Sequence, residues 1–336
     1  MRIFHRVCIL SGTLLFVWLL WRIGPNTVWR HVLELGWGIL GVFFLEGAAE
    51  LFHTLGWRSC LAKTHRKLGF GKLFAIKWAG YAINNLTPTA NVGGEVTKGT
   101  LLAGYGSGAQ AASGVIVGKM AFVLAQLLFV AVGSVILFPY LDVAPAILTG
   151  VFIGGGLLLS GLVSFLLLQK YGKLGAVLRR LAARNLGRNT LKRFSEKLDS
   201  LDNELRSFYI ERPFGLYVAL LWHSFGFVCY VAQVYLFLIL SGAQATITGA
   251  AGAWCLASWF DLAGFAVPLR IGVQEGARVV ALVALGLPSA LGMAFAMVIR
   301  IQEICWAGLG LLVYASMTSK NIGSLDSAEE ATNRAR

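Results

Sequence analysis

Ala144 to Leu168 reads APAILTGVFIGGGLLLSGLVSFLLL, a stretch without a single charged residue. A hydrocarbon core of about 30 Å is crossed by roughly 20 helical residues rising about 1.5 Å each, so this stretch is long enough to span a bilayer. Phe214 to Leu240 is equally uncharged, with His223 and Gln233 as its strongly polar side chains, and Gly114 to Phe138 carries only Lys119. Across the chain 57% of residues are hydrophobic and 13% charged, which leaves too little polar surface for a soluble domain. Helices satisfy their own backbone in lipid, and the alternation of a membrane barrel, with strands of about ten residues, is missing. The fold class is therefore all-α, a polytopic transmembrane helix bundle.

The net charge of +13 does not point to nucleic acid, because the basic residues gather beside the apolar runs. Lys170 to Arg212 holds 11 Lys and Arg against 5 Asp and Glu, and Arg58 to Lys77 holds six bases and no acid. Both segments read as cytoplasmic by the positive-inside rule. Arg2 and Arg6 precede the apolar run Val7 to Trp21, which lacks a small-residue cleavage site and reads as an uncleaved first span. The five cysteines have no CxxC pairing and read as packing residues.

A second helix is expected from about Trp37 to Ala62, with Glu46, Glu50 and His53 turned toward protein or water. Leu73 to Leu86 is too short to span comfortably, and a further span is expected from about Ala245 to Val267. In the basic segment Phe194, Leu198, Leu201, Leu205 and Phe208 recur every three or four residues, predicting an amphipathic helix on the bilayer surface or against the bundle. A solvated linker helix is the alternative, since acids interleave the bases there. The last span runs from about Ser289 to Ala315, and the polar tail reads as disordered.

Two breaks can be laid over each other. Pro88-Thr-Ala-Asn-Val-Gly-Gly-Glu95 matches Pro268-Leu-Arg-Ile-Gly-Val-Gln-Glu275 in its proline-to-glutamate spacing, Gly106 and Gly286 follow, and a base comes next at Lys119 and Arg300. The shared order predicts a duplication: 1–36 a first span and connector, 37–143 the first repeat, 144–213 a linking span and basic loop, 214–317 the second repeat, 318–336 the tail. Charge places the segment before the first motif inside and the uncharged Ser241 to Gln244 before the second outside, so the repeats are expected to be inverted. Each motif then becomes a re-entrant broken-helix hairpin, giving six full crossings plus two hairpins, with both termini cytoplasmic. Such breaks line the binding cavities of many transporters.

An unpaired charge in the membrane costs several kcal/mol, so each ionisable group in these runs needs a partner. Arg300 and Glu303, one helical turn apart, read as an internal pair. Glu95 and Glu275 adjoin helix breaks and read as headgroup-binding or proton-exchanging groups, while Arg270 and Arg278 flank the second glutamate and could grip a lipid phosphate bidentately. Glu50 and His53 have the Glu-x-x-His spacing of di-iron bundles, but the required second pair is missing, so His53 reads as a polar packing residue. Catalytic, nucleotide and metal motifs are absent, and neither an enzymatic role nor a cofactor is expected.

Asn85-Leu-Thr-Pro88 through Gly93-Gly94-Glu95, together with Pro268 through Gly272, Glu275 and Arg300, resembles the lysylphosphatidylglycerol synthase transmembrane-region family, also called flippase-like membrane proteins. The resemblance covers about Trp37 to Ala315. It implies a bundle with re-entrant helices in a bacterial-type inner membrane and movement of a modified phospholipid between leaflets. It implies substrate-binding roles for Asn85, Pro88, Gly93, Gly94, Glu95, Lys119, Pro268, Arg270, Gly272, Glu275, Arg278 and Arg300. The aminoacylating domain of the best-understood members has no counterpart here, so the chain is similar to the stand-alone group linked to other lipids, hopanoids and isoprenoid-linked glycans among them. It departs from the pattern at Val273-Gln274, where the first motif has a glycine pair, and at Lys119, where an arginine is expected. The resulting expectation is a lipid translocase or lipid-export component, its partners being membrane lipids and lipid-synthesis enzymes. A membrane-embedded lipid-modifying enzyme or a scaffold for such an enzyme is the alternative.

Overall fold

The computed structural model describes residues 18, 21–22, 24–86, 92–140, 145–171, 188–212, 214–263 and 270–334, and all regular structure among them is helical. The helices are α1 (Pro25–Glu34), α2 (Ile39–Cys60), α3 (Lys63–Arg66), α4 (Phe70–Leu86), α5 (Val92–Ala103), α6 (Gly108–Leu137), α7 (Pro145–Lys170), α8 (Arg188–Glu211), α9 (Gly215–Leu240), α10 (Ile247–Ala263), α11 (Val273–Val283) and α12 (Ser289–Arg334). Five helical segments are long and apolar enough to cross a membrane: Gly36–Cys60, Gly108–Tyr140, Leu148–Lys170, Gly215–Leu240 and Ser289–Thr318. This is a multi-pass membrane protein. The N-terminal run expected as a further span lies almost wholly outside the described residues.

The helices between these spans come in two short pairs. α4 has 17 residues and α5 has 12, while α10 has 17 and α11 has 11. At about 1.5 Å per residue neither pair contains a helix that reaches across about 30 Å. Of the span expected from Ala245 to Val267, residues 264–267 lie outside the described residues, and α10 covers Ile247–Ala263. Its start is fixed by Thr246, whose hydroxyl accepts the Gly249 N–H at 3.0 Å. The last helix is longer than expected and continues through the tail to Arg334. Once a helix is nucleated, residues such as the Ala and Glu of this tail extend it at little cost.

The two short pairs make matching contacts with the long helices. α4 packs on α12 and α10 packs on α6, while α5 packs on α6 and α11 on α12, the long helix that follows each pair. The most extensive contact joins α2 to α9, which cross antiparallel. At its centre a Cβ on Gly56 would stand 2.7 Å from the His223 ring and one on Gly226 would stand 2.3 Å from the His53 ring. Phe52 stacks on Trp222 at 5.9 Å, and the two histidines meet through their Nδ1 atoms at 3.0 Å. Each helix thus inserts its histidine over the other's glycine. Lipid offers no hydrophobic drive for such a contact, so close packing on small residues supplies the attraction. A large apolar cluster drawn from α1, α2, α6, α7 and α9 to α12 encloses this crossing's outer end.

α8 resolves the alternatives left by its sequence. Leu205 and Phe208 are buried with Cys60, Val117, Ala121 and Ala219, so the helix lies against the bundle. Arg212, just after it, donates to the Leu61 carbonyl at the end of α2 and so satisfies an orphan acceptor there.

Candidate functional site

The α4–α5 pair folds back on itself through direct backbone contact. The Gly94 N–H donates to the Asn84 side chain at 2.7 Å, and a Cβ on Gly94 would lie 2.1 Å from the Gly80 carbonyl oxygen. Only glycine fits there. Gly93 lends its carbonyl to the Thr97 hydroxyl at 2.9 Å. These two glycines, read from the sequence as part of a binding motif, build the hairpin that presents Glu95. Pro88 and Pro268 lie outside the described residues.

In the second pair the chain enters α11 through two residues at positive φ, Arg270 at 50° and Gly272 at 79°. Positive φ is uncommon for a residue with a Cβ, and such strain gathers at functional sites. The Gly272 N–H donates to Glu275 Oε2 at 2.7 Å, closing the first turn of α11. The other oxygen of Glu275 accepts from Arg300 Nε at 3.0 Å and Nη2 at 2.6 Å. Glu275 is 1% exposed, and its carboxylate does not line the cavity described next. Both of its oxygens are thus engaged by the protein's own donors. Arg300 reaches Glu303 at 3.1 Å as expected, but its principal partner is Glu275, which sequence proximity could not reveal.

Between the halves lies a cavity of about 670 Å³. Of the residues singled out in the sequence it collects Asn85, Glu95, Lys119, Arg270 and Arg278. It also collects Glu46, Glu50, Lys77, Lys98, Asp261 and Glu303, so five carboxylates and five bases share its lining. Lys98 Nζ is 2.5 Å and Lys119 Nζ 3.7 Å from opposite oxygens of Glu95. Glu50 pairs with Lys77, Arg278 lies 4.0 Å from Asp261, and Glu303 accepts from Gln274 at 2.6 Å. Glu46 accepts from Gln302 at 2.7 Å, and Gln302 accepts from Gln233 at 2.9 Å, a buried chain joining α2, α12 and α9. Met120, Val123, Leu158, Leu262 and Phe295 add an apolar wall.

The cavity residues that sequence reading left unassigned carry a recognisable signal. Glu46, Glu50, His53 and Trp57 recur at helical spacing on α2, as do Lys77, Tyr81 and Asn84 on α4, and each set lines the cavity. Of the Glu-x-x-His pair, Glu50 turns to Lys77 and His53 to His223. Among the described residues no group of three His, Cys, Asp or Glu could hold a metal ion. Comparison with curated proteins and with solved structures gave no match. The family model described as the lysylphosphatidylglycerol synthase TM region matches residues 5–309.

Proposed function

We propose that this chain, which belongs to the lysylphosphatidylglycerol synthase transmembrane-region family, is a lipid translocase or lipid-export component that moves a polar-headgroup lipid between leaflets. The observation that carries this reading is one cavity that joins charged groups from both halves to an apolar wall. A headgroup needs the first and acyl or isoprenoid chains need the second. Inverted halves are supported by the antiparallel crossing of α2 with α9 and by the exchanged packing of α4 on α12 and α10 on α6. On this reading α4–α5 and α10–α11 are re-entrant hairpins, and rocking of the halves exposes the cavity to each leaflet in turn. The membrane is a bacterial-type inner membrane, with both termini on the cytoplasmic side together with the basic segments. Movement is gradient-driven or passive, and lipid-synthesis enzymes supply the cargo.

Purified protein in liposomes should accelerate leaflet exchange of a labelled lipid over protein-free vesicles. Exchange no faster than in empty vesicles overturns the proposal. A chemically new lipid in those vesicles would identify an embedded enzyme instead.

A further inference from the structure

Four of the five carboxylates on the cavity lining stand beside a base. Glu50 pairs with Lys77, Glu95 with Lys98 and Lys119, and Glu303 with Arg300, while Asp261 has Arg278 at 4.0 Å and Arg270 within its electrostatic reach. The fifth, Glu46, has no cation within 4.0 Å among the described residues. It is 8% exposed and sits near the middle of the span Gly36–Cys60. Its Oε2 accepts from a neutral amide, Gln302 Nε2 at 2.7 Å. Gln302 Oε1 accepts in turn from Gln233 at 2.9 Å, and Gln233 gives its other N–H to the Val42 carbonyl at 2.8 Å. Around Glu46 stand Glu50 on its own helix, Glu303 on α12, Lys77 and Tyr81 on α4, and Cys229 and Tyr230 on α9. From α6, Lys119 faces the same cavity. Two of these neighbours are like charges, and Lys77 is itself held by Glu50.

Amides supply hydrogen bonds but no charge, and an ionised carboxylate kept from water at membrane depth is costly unless a base or a proton compensates it. Glu46 lacks the base, and the cavity gives a proton its route. We propose that Glu46 is a proton-binding site that couples lipid movement to a proton gradient. A proton from the cavity bonds to the carboxylate oxygen that Gln302 does not hold, and the same O–H bond breaks to return it once the halves have rocked. One proton enters and one leaves, so no oxidant or reductant takes part. Gln302 and Gln233 act as positioning residues that carry the change of charge to the contact between the halves, since their chain ties α2 to α9 and α12. Hydrogen bonds to an ionised acceptor are roughly twice as strong as neutral ones, so protonation loosens this tie. The inference rests on the translocase reading and gives it an energy source.

The test uses the full chain in phosphatidylcholine vesicles with two readouts, the infrared C=O stretch of a protonated carboxylic acid and the leaflet distribution of fluorescent phosphatidylglycerol. Between about pH 5 and about pH 9 the wild type should show a carboxylic-acid band that fades as pH rises and that Glu46→Gln lacks. Gln302→Leu should keep the band and hold it to higher pH, because a donor to the carboxylate is lost. An imposed proton gradient should move the labelled lipid several-fold toward one leaflet in the wild type and leave it evenly distributed with Glu46→Gln, which is fixed in the neutral form. A band that survives Glu46→Gln unchanged, or no titrating band in the wild type, overturns the proton site. Should Glu46→Gln fail to fold, Gln302→Leu decides: a band that titrates as in the wild type overturns the proposal. The translocase reading fails separately. A titrating band without leaflet exchange refutes transport alone, and exchange that ignores the gradient refutes the coupling alone.

Discussion

The two hairpins place a glutamate at matching positions, and in each half a base on the following long helix reaches it: Lys119 for Glu95 and Arg300 for Glu275. In the first half the base stands 3.7 Å away, a second lysine competes for the same carboxylate, and all three groups line the cavity. In the second the arginine donates twice to one oxygen at 3.0 and 2.6 Å, while the other oxygen holds the start of α11. The same pair is loose and exposed to the cavity in one half, tight and buried in the other. One glutamate is held at both of its oxygens, and the other shares two lysines at the cavity wall.

The largest effect expected from this contrast is on stability. Glu275→Ala strips the start of α11 of its acceptor and takes from Arg300 the carboxylate it meets at 2.6 Å; breaking a buried pair costs about 3 to 5 kcal/mol. Thermal unfolding in detergent should show a large fall in Tm or loss of folded protein. Glu95→Gln keeps a polar side chain of the same size facing Lys98 and Lys119 at the cavity wall, so it should lower stability less than Glu275→Ala and act instead on leaflet exchange. Equal destabilisation by the two substitutions would break the comparison.

The crossing of α2 with α9 is where the halves are most alike, and it sharpens the comparison from the other side. Gly226→Ala drives a methyl to 2.3 Å from the His53 ring, and Gly56→Ala drives one to 2.7 Å from His223. Overpacking of this kind costs about 1 to 3 kcal/mol. Both should lower Tm by similar amounts, and His53→Ala should relieve Gly226→Ala selectively, with a coupling of about 1 kcal/mol or more in a double-mutant cycle. Additive losses would mean that the reciprocal insertion contributes nothing.

Much of this architecture is legible in the sequence because it depends on composition. Uncharged runs such as Ala144 to Leu168 report their spans directly, and the proline-to-glutamate spacing locates both hairpins. The crossing was not found, although Phe52-His-Thr-Leu-Gly-Trp57 and Trp222-His-Ser-Phe-Gly-Phe227 repeat the same pattern. His53 was read alone because its partner stands 170 residues on, whereas the two glutamates are 180 apart. A connector of different length in each half hides one register behind the other. The exchange of partners at Arg300 was hidden for a different reason: Glu303 is adjacent on the same helix face, and only the fold brings Glu275 to it. Glu95 and Glu275 share their spacing from a proline in the sequence, and it is burial and the contact with Arg300, both tertiary, that separate their surroundings.

The smallest effects should come from exchanging the two bases. Arg300→Lys removes the planar fork and substitutes a single ammonium, which reproduces in the second half the looser arrangement of the first. Glu303 and the backbone contact of Glu275 remain, so the loss should be about 1 kcal/mol, read as a modest fall in Tm. Lys119→Arg does the converse: a guanidinium can reach Glu95 with two donors and displace Lys98 from it. Stability should rise slightly while leaflet exchange slows several-fold, because a cavity carboxylate that was shared becomes held. If exchange is unchanged while stability rises, the looseness of the first pair is incidental to transport. If Arg300→Lys alone abolishes exchange without lowering Tm, the buried pair takes part in the motion and the division of labour between the halves is lost.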